Sequence, residues 1–203
     1  MLRLFNTTMK NLKHLLEAHT SKQLKVAFNA IGLDFHEDEV DDYMLPNGYI
    51  DPDILPGWLE MKGGWPELLK LDRFEGTIDI GTNAKLSNFK NFPSDYVRSI
   101  YVKADTFTNC RGCPAYVDTM SISTNAPFTL TGLKHVNSLT IVLCAKPVDF
   151  NDVQQVDDLT VTESNTSLSG LKSLKKLCYG PTDDIPVGWG LDRSFRFKSG
   201  ALS

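Results

Sequence analysis

One pattern restarts every 18 to 20 residues through the second half of this 203-residue chain. Four successive segments carry it: VRSIYVKAD (97–105), VDTMSISTN (117–125), VNSLTIVLC (136–144) and VDDLTVTES (156–164). Apolar residues alternate with polar ones in the middle of each segment, as in a strand with one buried face. Because one strand cannot bury its own apolar side, the repeat predicts a stack of parallel strands around a continuous core.

A second, shorter motif lies between the strand segments and repeats in phase with them. It places two apolar residues three positions apart, in FKNF (89–92), CRGC (110–113), LTGL (130–133), FNDV (150–153) and LSGL (168–171). Gly112, Gly132 and Gly170 supply the permissive backbone of a tight bend before the second apolar residue. Coils this short leave no room for an α-helix on the returning side, so we expect extended or 3₁₀ segments there.

The strand segments resemble the hallmark of leucine-rich repeats, Leu-x-x-Leu-x-Leu-x-x-Asn/Cys, and the short coils resemble bacterial and bacteriophage members of that family. The resemblance covers residues 74–182 and includes a weaker copy, EGTIDIGTN (75–83), with Glu75 at a position that should be apolar. It implies an α+β fold, a leucine-rich-repeat-like solenoid with about five to six short parallel strands. The turn asparagine of the family, which bonds to backbone groups, is matched by a mixed set: Asn83, Asp105, Asn125, Cys144 and Ser164.

The flanking segments have a different composition and predict caps at the two ends of the solenoid. In residues 1–73, helical spacing recurs in two runs: Leu12, Leu15, Leu16 and His19, then Leu24, Ala27, Phe28 and Ile31. Gly32 follows, where a helix would stop, and NGYIDPDILPGW (47–58) is turn-rich. We expect this helical segment to cover the apolar end coil, and residues 183–203 to form a C-terminal cap and tail.

Cys110 and Cys113 form a Cys-x-x-Cys pair, a spacing that elsewhere holds zinc or exchanges disulfides. In register with the repeat, however, they occupy the two positions that Phe and Leu pairs occupy in neighbouring coils. Cys144 and Cys178 fall on other coils, too far away to complete a tetrahedral zinc site. We therefore predict two core thiols, with no metal and no cofactor.

Sequence signatures of other chemistry are absent: there is no Gly-x-Ser-x-Gly, phosphate loop or dinucleotide fingerprint. The acidic stretch DFHEDEVDD (34–42) lacks the EF-hand pattern, so we interpret it as a solvated loop, with a metal site or small enzyme in residues 1–73 as the alternative. A net charge of −4 argues against nucleic-acid binding. No apolar run is long enough to span a bilayer, and four cysteines without a secretory signal predict a cytoplasmic protein.

Leucine-rich repeats bind protein partners, mostly through the exposed faces of their strands, and the resemblance implies the same surface here. Carried over by position, the candidate contact residues are Tyr101, Lys103, Ser121, Ser123, Thr140, Val142, Leu143, Thr160 and Thr162. A further column, which includes Ala104 and Thr124, is placed on the same face. Tyr101 is the expected aromatic anchor, since interface hot spots favour tyrosine. Val142 and Leu143 are apolar among polar neighbours: either they form a contact patch, or strand twist or the C-terminal tail covers them.

The sequence therefore predicts a non-enzymatic module that binds a protein partner. The short coils imply a bacteriophage or bacterial origin, and in that setting we expect an inhibitor or modulator of a host protein, defence proteins included. The alternative is a structural or adhesive component, such as part of a virion, with the repeats as scaffold. Neither the partner's identity nor the oligomeric state has a signature in the sequence.

Overall fold

Consecutive strands lie side by side in a computed structural model that describes residues 20–142, 144, 148–150, 153–162, 171 and 173–179. In chain order they are β1 (Trp58–Glu60), β2 (Arg73–Ile80), β3 (Tyr96–Val102), β4 (Tyr116–Ile122), β5 (Phe128–Thr129), β6 (His135–Val142), β7 (Val148–Asp149), β8 (Gln155–Thr162) and β9 (Leu174–Tyr179). All except β5 and β7 form one seven-stranded parallel sheet whose order follows the chain. β5 pairs with β7, also in parallel, on the returning side.

This arrangement confirms the predicted solenoid, because each parallel strand is followed by a short return that brings the chain back beside it. The sheet has seven strands, one more than the upper limit of the predicted five to six. The additional strand is β1, which begins at Trp58, the last residue of the segment that we read as turn-rich. The sheet therefore begins earlier in the chain than residue 74.

The inward side chains stack in register from strand to strand. Two columns run through the sheet: Ile78, Ile100, Met120, Leu139, Leu159 and Leu177, and beside it Ile80, Val102, Ile122, Ile141 and Val161. All of them are buried. Each coil thus covers the apolar face of the next, and this burial is the main source of stability for such a stack.

The first repeat contains a bulge that the sequence alignment does not anticipate. Phe74, not Glu75, pairs with Val97, and the register shifts between Phe74 and Thr77. A Cβ atom at Gly76 would lie 2.5 Å from the Phe74 ring and 2.6 Å from the Gly57 carbonyl oxygen, so only glycine fits at this point of the bulge. Glu75 is exposed and does not occupy the apolar position of the repeat.

The returning side consists of tight turns and short extended segments, as expected. The amides of Phe92, Cys113, Leu133 and Val153 each donate to the carbonyl oxygen three residues earlier. Gly112 and Gly132 have φ values of +80° and +99°, and Asn91 holds the equivalent place in the first turn with φ of +67°. A further inward column, which we did not predict, runs beside these turns: Leu86, Phe107, Phe128 and Val148.

The N-terminal part of the described chain packs on the first coils. Helix α1 (residues 20–30) is followed by Gly32 and by two 3₁₀ helices, Glu37–Tyr43 and Pro52–Ile54. The apolar side chains of the second predicted run, Leu24, Ala27, Phe28 and Ile31, are buried in the same core as the strands. The carbonyl oxygen of Ala30 accepts hydrogen bonds from the Lys62 and Gly63 amides, which ties α1 to the end of β1. The first predicted run and the C-terminal cap lie outside the described residues.

Candidate functional site

The outward side of the seven-stranded sheet, here called the strand face, carries most of the predicted contact residues. Tyr101 pairs in register with Ser121, and the same row continues to Thr140 and Thr160. All four side chains are partly exposed. We call this line, together with Asp79 at its start, the Tyr101 row.

The remaining predicted contacts lie at the carboxyl ends of the strands. Lys103 is exposed and Ser123 partly exposed, each one residue beyond its strand, and Val142 pairs with Thr162. Val142 is partly exposed, and Leu143 lies outside the described residues.

The column of Ala104 and Thr124 points inward, contrary to the prediction. Ala104 is fully buried and Thr124 nearly so. The two-residue alternation continues past the strand ends: Ala104 lies two residues after buried Val102, and Thr124 lies two residues after buried Ile122, so both face the core. These two residues are therefore not part of the strand face.

Trp58 is a contact candidate that the sequence analysis missed. Its side chain is 52% exposed and stacks on the ring of Tyr101, with ring centroids 5.9 Å apart and planes inclined by 22°. Trp58 pairs with Thr77 on β2, and Tyr101 pairs with Asp79 on the other side of the same strand, so the two rings meet over β2. The signal in the sequence that could have revealed this strand is the pair of apolar residues Leu59 and Met61 on either side of Glu60, which places Trp58 on the same outward side as Glu60.

Asp79 lies on β2, the strand over which the two rings meet. Its register partners are Glu60 on β1 and Tyr101 on β3. The Asp79 Oδ1 atom has no exposed surface and no hydrogen-bond partner in the part of the chain that the structure describes. Leaving a buried acceptor unsatisfied costs about 1–3 kcal/mol, and more when the group is charged. A hydrogen-bond donor that reached this oxygen would remove that cost.

A row of rings crosses the strand starts. The Arg73 guanidinium lies 4.7 Å from the Tyr96 ring centre, Tyr96 stacks on Tyr116 at 5.8 Å, and Tyr116 contacts His135 edge-on at 4.6 Å. These four residues occupy one register line of β2, β3, β4 and β6. In-register aromatic pairs stabilise a sheet, which accounts for the row without a ligand.

Asp157 lies next to His135, the last residue of this row. Burial alone would raise the pKa of its carboxyl, but hydrogen bonds from Lys175 and Gln155 and the Lys175 charge outweigh that effect, so the pKa lies below its usual value. The Nε2 atom of His135 lies 3.6 Å from Asp157 Oδ2, just beyond hydrogen-bond distance. Burial raises the pKa of the Tyr116 hydroxyl, with a further contribution from nearby carboxylates. The Asp157 carboxylate is therefore ionised and hydrogen-bonded to Lys175 and Gln155.

Two residues at the turn position of the repeat, Asp105 and Cys144, form hydrogen bonds to a neighbouring coil. Asp105 Oδ1 accepts hydrogen bonds from the Asn125 amide at 2.8 Å and from Thr124 Oγ1 at 3.1 Å. These bonds hold the pKa of the Asp105 carboxyl below its usual value. Cys144 donates its thiol proton to the Ile122 carbonyl oxygen at 3.7 Å. Both residues link one coil to the backbone of a neighbouring one.

Cys110 and Cys113 occupy core positions, as the repeat register predicted. Cys110 is fully buried and Cys113 almost so. Burial raises the pKa of the Cys113 thiol well above its usual value, and the neighbouring Cys110 adds to this effect. A thiolate, the form that binds metal or attacks a disulfide, is therefore strongly disfavoured at Cys113.

We expect the three buried thiols to be unreactive in the folded protein. In a Cys178→Ser variant, dithionitrobenzoate at pH 7.5 should modify Cys110, Cys113 and Cys144 at least about 100-fold more slowly than in urea, because access requires local unfolding. Counting the released chromophore against time measures both rates. Fast modification of Cys110 or Cys113 without urea would contradict their placement in the core.

Other cavities and side-chain clusters give less support for a functional site. A groove of about 850 Å³ is lined by residues 66–72 with Tyr49, Asn91 and Ser94, and Lys70 donates to the Tyr49 hydroxyl there. Within the described ranges, no three His, Cys, Asp or Glu side chains converge as a metal site would require, the acidic stretch 34–42 included. No helix in the same ranges is long and apolar enough to cross a membrane.

The architecture is the one that the repeat pattern predicts, a parallel sheet with short returns. No protein-family model, curated protein or solved structure matches this chain.

Proposed function

We propose that this protein is a non-enzymatic binding module that docks a protein partner on its strand face. The observation that carries the proposal is the stacked Trp58–Tyr101 pair, which lies on a face where serine and threonine are the most frequent side chains. Trp58 and Val26 are the large apolar side chains that stand exposed among the described residues. Tryptophan and tyrosine are the residue types that dominate protein–protein hot spots.

The rest of the face supports docking by its regularity. A second row, Thr77, Ser99, Thr119 and Ser138, runs parallel to the Tyr101 row. Neighbouring strands are spaced by about 4.8 Å, so the hydroxyls form a regular array on a rigid sheet. Rigid side chains of this kind lose little conformational entropy on binding, which leaves more of the contact energy as affinity.

A charge placed in the face should abolish binding while the same change elsewhere should not. We expect Tyr101→Asp with Val142→Asp to reduce partner recovery from host lysate by at least about 100-fold, because two contacts of about 1.4 kcal/mol or more each are lost. The matched control is Tyr49→Asp with Val26→Asp, which makes the same substitutions on the partly exposed Tyr49 and on exposed Val26, away from the sheet.

Quantitative mass spectrometry of the affinity-purified chain measures recovery, and circular dichroism checks that both variants are folded. Equal recovery by the face variant and the control would place the binding surface elsewhere. Failure of the unsubstituted chain to recover any stoichiometric protein would contradict the proposed function. Addition of the purified chain to the recovered partner then tests whether binding inhibits it.

A further inference from the structure

Three adjacent strands bring two rings and two carboxylates together at one end of the strand face. Trp58 and Glu60 lie on β1, Asp79 lies on β2, and Tyr101 lies on β3. Asp79 is the register partner of both Glu60 and Tyr101, so the four side chains form one compact group. The aromatic pair spans β2, and the Asp79 Oδ1 atom on the same strand has no exposed surface.

The negative charge of this group has no counter-ion in the part of the chain that the structure describes. The nearby arginines, Arg73 and Arg98, pair with Glu75 at 3.1 and 3.5 Å. Lys103, two residues beyond Tyr101, makes no ion pair with a described residue. Two carboxylates directly opposite each other repel, and they would be stabilised by a shared cation.

The ring geometry favours a flat cation. The two planes are inclined by only 22°, and their centroids are 5.9 Å apart. A planar ion in van der Waals contact with both rings needs a separation of about 7 Å, roughly twice the contact distance between carbon atoms. Because Trp58 is on the edge strand and 52% exposed, a small movement of its side chain would open that space over β2, the strand that carries Asp79.

We propose that Trp58, Tyr101 and Asp79 form a receptor for an arginine side chain of the protein partner. The guanidinium enters between the rings and donates hydrogen bonds to Asp79 Oδ1, while Glu60 adds negative charge at the rim. Arginine fits better than lysine, since its head group is planar, stacks on aromatic faces and bonds carboxylates through two parallel N–H groups. This inference rests on the proposed function, because it names the chemistry that the partner presents to the strand face.

The test uses the full chain and three acetylated, amidated pentapeptides, Gly-Ser-X-Ser-Gly, with X as arginine, lysine or citrulline. Citrulline keeps the planar shape and removes the charge. The indole N–H resonance of Trp58, assigned with Trp58→Leu, reports binding by NMR at low salt. We expect the arginine peptide to bind with a Kd near about 1 mM, the lysine peptide about 5-fold more weakly and the citrulline peptide at least about 10-fold more weakly.

Asp79→Asn should weaken binding of the arginine peptide by about 10-fold. The matched control is Asp158→Asn, which removes the same charge from an exposed position of the face on β8 and should change binding by less than about 2-fold. Without peptide, Asp79→Asn should unfold at the same temperature or higher, because the carboxylate has no described partner to lose. A clear fall in its unfolding temperature would assign Asp79 to the fold and overturn the proposal.

The remaining outcomes separate this inference from the proposed function. Equal binding of the arginine and citrulline peptides, or equal effects of Asp79→Asn and Asp158→Asn, would overturn the arginine receptor. A preference for the lysine peptide would do the same. If a protein partner is lost with Tyr101→Asp and Val142→Asp but kept with Asp79→Asn, the strand face binds the partner and the arginine receptor is wrong. If the peptides behave as expected and no protein partner is recovered, the receptor stands and the proposed function fails.

Discussion

Gly112→Ala is expected to lower the free energy of unfolding by about 2–5 kcal/mol, the sum of a strained backbone and a steric conflict. Gly112 has a φ of +80°, a region that residues with a side chain adopt only at a cost. An added Cβ atom would also lie 2.6 Å from the carbonyl oxygen of Phe89 in the preceding coil. That oxygen belongs to the backbone, so relief requires the two coils to move apart. Urea titration followed by circular dichroism measures the loss.

Gly48→Ala is the matched control for this prediction. Gly48 has nearly the same φ, +81°, but a Cβ atom there would meet nothing within 4 Å. Its substitution therefore reports the backbone strain alone, about 1–2 kcal/mol. The difference between the two variants measures the close approach of the coils. Equal losses in the two variants would show that the turns do not stack as closely as the structure places them.

The strand register of the solenoid could be predicted because it depends on local alternation. Ile100, Met120 and Leu139 alternate with polar residues at a fixed phase, and the same phase places Tyr101, Ser121 and Thr140 in one outward row. A shift of one residue would turn every apolar side chain to solvent. The pattern therefore determines the strand face as firmly as it determines the core.

The features that sequence reasoning missed depend on contacts between distant segments. The three-residue strand β1 follows Pro56 and Gly57, which signal a turn, and it is a strand only because β2 pairs with it. The bulge at Gly76 adds one residue, and no local pattern distinguishes such an insertion from a missing apolar position. The stacking of Trp58 on Tyr101 likewise joins side chains from two different coils.

Phe89→Ala is expected to lower the free energy of unfolding by about 3–5 kcal/mol, the usual cost of removing a buried phenylalanine. The side chain is fully buried. The centre of its ring lies 5.0 Å from that of Phe92 and 4.7 Å from that of Phe107, and both contacts are edge-on. Deletion would leave a cavity between two coils and remove both ring contacts. Phe89→Leu is the control and should cost less than about 1.5 kcal/mol, since Leu130 fills the equivalent position of a later coil.

The solenoid architecture also predicts which strands lose the most stability in Phe89→Ala. Each coil contacts mainly its neighbours, so stability is approximately a sum of coil and interface contributions. Hydrogen exchange should therefore show the largest loss of amide protection in β2, β3 and β4, which pair in sequence along this end of the sheet, and a smaller loss in β8. A uniform loss across all strands would mean that the stack unfolds as a single unit. In that case a substitution anywhere in the core would disturb the strand face as strongly as one made next to it.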